Sequence, residues 1–211
     1  MTERDALFQA SNHKPLTIFS IGHSNQSVEA FLALLQQYEI QVLVDVRSRP
    51  YSRYVAHFNS TPLAAAVRKA GLKYMFMGKE LGGRPDGDEF YDGEGHVLYN
   101  RVAKAAFFLD GIKRLKEGCR TYRIAMMCSE EDPAVCHRHL LISRVLAEQG
   151  VNVAHIRGDG HVQTEEELAA PKEEVSYTQS LWGEQLPEEE HSWRSIRPVL
   201  PKKQPPGFSD R

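Results

Sequence analysis

Between residues 128 and 139 the chain reads Cys128-Ser-Glu-Glu-Asp-Pro-Ala-Val-Cys136-His137-Arg138-His139. Two thiols thus stand eight residues apart beside imidazoles and a guanidinium. The thiolate is the nucleophilic, redox-active and metal-binding form of cysteine, and a helix N-terminus or a nearby Arg or protonated His stabilises it. Cys128 is therefore a candidate nucleophile or redox thiol, Cys136 a candidate resolving thiol, and His137 a candidate proton carrier. Glu130, Glu131 and Asp132 act against a thiolate. Two other readings stay open. Both cysteines could be small apolar core residues, or Cys128 and Cys136 could share a metal with His137 or His139, although the spacing matches no standard zinc pattern. The sequence requires no cofactor; a Cys/His set of this kind would take zinc or iron. Cys119, between Gly118 and Arg120, reads as incidental.

A second group of residues suits an anion. Arg47, Arg49, Arg53, Arg84 and Arg138 offer planar forks that bind phosphate or carboxylate bidentately. Some of them are also expected to be solvated loop charges. Ser24, Ser48 and Asn59 add polar groups, and Gly82-Gly83 permits close backbone approach to a ligand or forms an ordinary turn. Asp45 and Arg47 flank one residue, so on extended backbone their side chains point the same way. Asp45 either orients an arginine or takes a catalytic part. His23 is either an acid–base group near neutral pH or a structural hydrogen-bonding residue.

These residues need a scaffold, and the hydrophobic pattern supplies one. Thr17–Ile21 and the β-branched run Val42–Val46 read as buried strands, as do Lys73–Met77, Tyr122–Met127 and Val151–Ile156. Helical spacing covers Val28–Tyr38 behind the N-cap Ser27. A helix opens at Thr61-Pro62 and closes at Gly71, and others run over Val97–Glu117 and Pro133–Gln149, the last capped by Asp132. Alternating strands and helices predict an α/β fold, a three-layer Rossmann-like arrangement of a mainly parallel sheet with helices on both faces. In such sheets ligands bind outside the carboxyl ends of the strands, which is where His23, Asp45–Arg53, Glu80–Arg84 and Cys128–Asp132 fall.

The chain has 211 residues, with 26 Lys+Arg against 28 Asp+Glu. That balance excludes a globally basic nucleic-acid binder, though not a local basic pocket. There is no long apolar run, so no membrane partner is expected. Three cysteines and a start without a signal-peptide pattern point to the cytoplasm. Residues 1–15 read as an N-terminal extension and 16–170 as one domain. Residues 171–211 hold six of the eleven prolines and both tryptophans, and read as a charged extension, partly disordered or docked through Trp182 and Trp193. A partner for this extension is an alternative to docking on the domain itself.

Taken together, Ile21-Gly22-His23-Ser24-Asn25, Val44-Asp45-Val46-Arg47-Ser48 with Pro50, Ser52-Arg53 and Phe58-Asn59, Leu81-Gly82-Gly83-Arg84, and Met127-Cys128 through Cys136-His137-Arg138 resemble domain-of-unknown-function family 488 over about residues 16–157. The resemblance implies a compact α/β domain and brings no established reaction. Asp45-Val46-Arg47, Cys128 and the run Leu146, Gly150, Val153, Ile156 and Gly158 also resemble rhodanese-like sulfurtransferases. The loop after Cys128 is longer and more acidic than a rhodanese active loop. The expectation is a cysteine-dependent enzyme acting on a small anionic or nucleotide-like substrate, including a base in nucleic acid. A noncatalytic nucleotide or nucleic-acid binding module, with Tyr51 or Tyr54 stacking on bases, is the alternative.

Overall fold

A computed structural model of the protein describes residues 16–169 and 193–200. The expected anchor Trp182 and the residue 1–15 extension lie outside the described residues. Strands β1 (Thr17–Gly22), β2 (Val42–Asp45), β3 (Lys73–Phe76), β4 (Ile124–Cys128), β5 (Asn152–Ile156) and β6 (Val162–Thr164) form one sheet in the order β3-β2-β4-β1-β5-β6. All neighbours pair in parallel except β6, which returns antiparallel to β5. The architecture is α/β with a mostly parallel sheet. β6 had no signal in the sequence, since Val162-Gln-Thr is too short to show alternation.

The layers follow from strand alternation. Along β4, Ile124, Met126 and Cys128 join one apolar cluster with Phe108, Ile112, Leu141 and Leu146. Ala125 and Met127 point the other way, into a cluster with Phe31, Leu35, Leu63 and Val67. The second cluster is covered by the helices Val28–Gln37 and Ser60–Lys69. The first is covered by the helix Ala106–Cys119 and the segment 138–148. Ser27 caps its helix by accepting from the Ala30 amide at 3.1 Å. No helix among the described residues is long and apolar enough to cross a membrane.

Two helices differ from expectation. The apolar stretch 97–117 breaks into Tyr99–Val102 and Ala106–Cys119. Its start is drawn into extended bridges, Val97 with Tyr91 and Leu98 with Arg194. For Leu98 a partner almost a hundred positions away, Arg194, thus overrides helical spacing. The segment 133–149 is a short turn at Pro133–Val135, a π-helix over Arg138–Ser143 and an α-helix over Arg144–Glu148. Ser143 Oγ donates to the Arg138 carbonyl at 2.7 Å, a side-chain bond that competes with the regular ladder. Wide turns of this kind often occur at functional sites.

Candidate active site

Adjacent strands β2, β4 and β1 end side by side, with Asp45 level with Met127 and Gly22 level with Cys128. Backbone pairing continues past β1, from the His23 amide to the Cys128 carbonyl at 3.0 Å and from Ser24 to Ser129 at 2.9 Å. Gly22 makes this approach possible, because a Cβ there would lie 1.9 Å from the Glu130 carbonyl oxygen. Above these ends opens a cleft of about 530 Å³ lined by Arg47, Arg84, Tyr99, Cys128, Cys136 and His137, among others.

The thiol group lies on the first face. Cys128 and Cys136 are both free and buried, 5% and 2% exposed. Cys128 Sγ donates to Glu130 Oε2 at 3.1 Å. His137 Nδ1 lies 3.8 Å from Cys128 Sγ and 3.7 Å from Cys136 Sγ. The other ring nitrogen, Nε2, is 3.1 Å from the Val46 carbonyl. A carbonyl only accepts, so Nε2 holds a proton, and Nδ1 faces the sulfurs as acceptor in the neutral ring or donor in the charged one. A Cβ on Gly83 would sit 2.8 Å from this ring, so glycine there lets the loop close over His137.

Arg138 is 1% exposed, yet among the described residues no carboxylate lies within ion-pair distance of it. Its partners are Cys136 Sγ at 3.4 Å, Ser20 Oγ at 3.0 Å and the Glu130 carbonyl at 2.6 Å. Burial would raise the Cys136 thiol, but the adjacent Cys128 thiol, Arg138 and His137 together bring it well below an ordinary cysteine. Cys128 moves the opposite way, raised by the adjacent Cys136 sulfur, by desolvation and by the negative charge of Cys136 and Glu130.

Behind Arg138 runs a buried relay. Ser20 Oγ is 2.6 Å from His155 Nδ1, and His155 Nε2 is 2.5 Å from Glu165 Oε1. Glu165 Oε2 meets His139 Nδ1 at 2.7 Å. Since Ser20 accepts from Arg138, its own hydroxyl donates to Nδ1, and Nε2–H donates to the carboxylate. Burial alone would raise the Glu165 carboxyl, but the bonds from His139 and His155 bring it down to about 2.

The guanidinium group lies on the second face. Arg47 Nε and Nη2 fork onto Asp45 at 2.9 and 2.7 Å, and Tyr74 donates to the same carboxylate at 2.8 Å. Nη2 also donates to the Phe58 carbonyl at 2.8 Å and Nη1 to His23 Nε2 at 3.1 Å. Four of its five N–H groups are thereby used, leaving one Nη1 proton for the cleft. His23 stacks on Phe58 with ring centroids 4.2 Å apart. Its Nδ1 donates to the Ser24 carbonyl at 2.8 Å. Burial lowers His23 to about 4, with Arg47 adding to the effect.

Of the residues singled out by sequence, Cys128, Cys136, His137, Arg47, Ser48, Arg49, Tyr51, Gly83 and Arg84 line the cleft. Arg138 lies beneath it, and Asp45 and His23 stand behind Arg47. Ser48 Oγ accepts from the Arg84 amide at 2.9 Å, and a Cβ on Gly82 would meet that oxygen at 2.3 Å. Asn59 instead holds its own loop, accepting from Ser52 at 2.6 Å. Ser24 and Arg53 are exposed and do not line the cleft. His139 belongs to the Glu165 cluster, away from the thiols. Ser20, Tyr99, His155, Glu165 and the segment 195–199 gave no local signal. Among the described residues the ligand-type atoms of Cys128, Cys136 and His137 lie within 4.8 Å of one another, and so, separately, do those of His139, His155 and Glu165.

Fold and site define an α/β protein with a dithiol, an imidazole and arginines at the carboxyl edge of a mostly parallel sheet. The domain of unknown function DUF488 matches residues 27–145, more than half the chain, and the protein belongs to that family. No curated protein and no solved structure matches the chain, and the rhodanese resemblance gains no support.

Proposed function

We propose that the protein is a thiol-dependent enzyme acting on a small anionic substrate, with Cys136 as the thiolate nucleophile. One observation carries this reading. A fully buried guanidinium, Arg138, has a sulfur at 3.4 Å where a carboxylate would otherwise be needed. An uncompensated buried charge is costly, by several kcal/mol, and a thiolate on Cys136 removes that cost. The sequence favoured Cys128 for this role, but the guanidinium lies against Cys136, and Glu130 stands nearer Cys128, at 3.1 Å against 3.6 Å, so Cys128 serves better as the neutral partner.

In this scheme the Cys136 thiolate attacks an electrophilic centre of the substrate, the bond to sulfur forms as the bond to the leaving group breaks, and the charged His137 ring gives its Nδ1 proton to that leaving group. The Val46 carbonyl fixes the ring in place. Tyr99, whose phenol is pushed up by burial and then by the sulfurs, stays a neutral donor facing the same space. Arg47 supplies its one remaining proton to the anion, with Asp45 fixing the fork. With both nitrogens engaged, His23 positions Arg47 rather than moving protons at neutral pH.

Protection from alkylation tests this. Inorganic phosphate and AMP at millimolar concentration should slow the reaction of Cys136 with iodoacetamide, and neutral adenosine should do less. Equal rates with and without every anion, at a freely reactive Cys136, would contradict an anion site beside the thiol.

A metal reading is favoured by one feature. His137 donates Nε2–H to a carbonyl and aims Nδ1 at two sulfurs, as metal-bound histidines do. Those three residues would hold zinc or iron as thiolates and neutral imidazole. The Arg138 guanidinium already lies against Cys136, which weighs against a dication. Metal analysis of untagged protein decides: one ion per chain, lost with Cys136→Ser, would put the metal first.

A further inference from the structure

The cleft is not closed by the family-matched residues alone. Ser195, Ile196, Arg197, Pro198 and Val199 line it from the far end of the chain. This segment is built in. Trp193 Nε1 donates to the Leu140 carbonyl at 2.6 Å, and the Arg144 guanidinium covers its ring at 4.2 Å. The Ser195 amide donates to Val97 and the Val199 amide to Gly95, at 2.9 and 2.8 Å. Ser195 Oγ accepts from the Val97 amide at 2.9 Å and donates to the Arg197 carbonyl at 2.8 Å. Arg194 pairs with Asp92 at 2.9 Å. The buried Ser195 is thus a fixed hinge-pin from which Arg197 follows two residues later.

Three guanidinia line this cleft without an acid partner among the described residues: Arg49, Arg84 and Arg197. They come from the loop after β2, the loop after Gly82-Gly83 and the 193–200 segment. The acid among the lining residues is Glu130, whose carboxylate faces the thiols at 3.1 and 3.6 Å. Positive charge therefore rims the cleft, while the negative charge sits at its floor. Such an arrangement draws in and orients an anion whose charged group lies away from its reacting atom.

We infer that the 193–199 segment is a functional wall of the cleft and that Arg197 is a specificity-determining residue for anionic substrates, of the phosphate-ester or carboxylate class. The inference rests on the thiol reading of the same site. It assigns the far end of the chain a place in substrate selection.

The ratio of iodoacetate to iodoacetamide alkylation rates at Cys136 reads it out in the full chain. The two reagents differ by one negative charge, so the ratio cancels the intrinsic reactivity of the sulfur and reports the potential of the cleft. Arg197→Ala should lower the ratio about three- to tenfold at low salt. Arg197→Lys should keep it near wild type, and Arg68→Ala, on an outer helix, should not move it. Trp193→Ala, which frees the wall, should reproduce the loss. An unchanged ratio in Arg197→Ala overturns the inference. A Cys136 without reactivity towards iodoacetamide at any pH below unfolding overturns the thiol reading instead.

Discussion

Arg138 and Cys136 form a pair two residues apart in which a buried guanidinium finds a sulfur at 3.4 Å and, among the described residues, no carboxylate. The two are spaced so that the turn into the π-helix brings both inward together. Ser20 and the Glu130 and Glu131 carbonyls take three of the other four N–H groups, which fixes the fork. Removing one member leaves the other buried and unmatched. Arg138→Met should destabilise the fold by about 3–5 kcal/mol in urea unfolding. Arg138→Lys, which keeps the charge and loses the fork, should destabilise less and raise the apparent pKa of Cys136.

His23 gives a pH signature. Its folded pKa lies near 4 against 6.5 when unprotected, so below 6.5 the unfolded chain takes up a proton that the folded chain refuses. Stability therefore falls as pH drops from about 6.5 to 4, by about 3 kcal/mol in total. Unfolding of wild type and His23→Asn at pH 7 and pH 4.5 should show a smaller pH slope in the variant. Equal slopes would show that His23 is free to protonate in the folded state.

Glu165 acts in the neighbouring window. Its carboxyl is lowered from 4.5 to about 2 by His139 and His155. The stabilisation is present above 4.5 and lost as pH falls towards 2. Glu165→Gln should remove about 2–3 kcal/mol at neutral pH and flatten the acid limb between those values. The same variant tests the relay to Ser20 and Arg138, since a change in Cys136 alkylation rate would travel through those groups.

Gly22→Ala should be among the most damaging small substitutions, costing more than about 3 kcal/mol. The added methyl would lie 1.9 Å from the Glu130 carbonyl and would have to push the Cys128 loop off β1. Thermal melting checks this, with Gly158→Ala as a permissive comparison, because the nearest side-chain atoms there stand at 3.7 Å.

Much of this arrangement was legible in order of sequence locality. β-branched runs and capping residues located β1 to β5, and the loop positions at their carboxyl ends followed from the parallel topology. Asp45 and Arg47 share a side because strand geometry puts them there. Cys128 and Cys136 stood out by type, but which one carries charge depends on Arg138, whose inward course depends on Ser20 more than a hundred residues earlier. The sheet also separates what the sequence placed together: His23, Asp45 and the fork of Arg47 lie on one face and the thiols on the other. Tyr99 and the 193–200 segment were hidden for a related reason. Helical spacing at 97–102 gave no hint that Val97 and Leu98 would pair with chain from the far end.

The central claim is that Cys136, not Cys128, holds the negative charge. Site-resolved alkylation of the native protein from pH 5 to 10, with mass spectrometry separating Cys119, Cys128 and Cys136, tests it directly. Cys136 should react with an apparent pKa well below the ordinary thiol value of about 8.5, and Cys128 should lag behind it throughout. A depressed pKa on Cys128 with Cys136 unreactive would contradict the account, as would two thiols that stay inert until the protein unfolds.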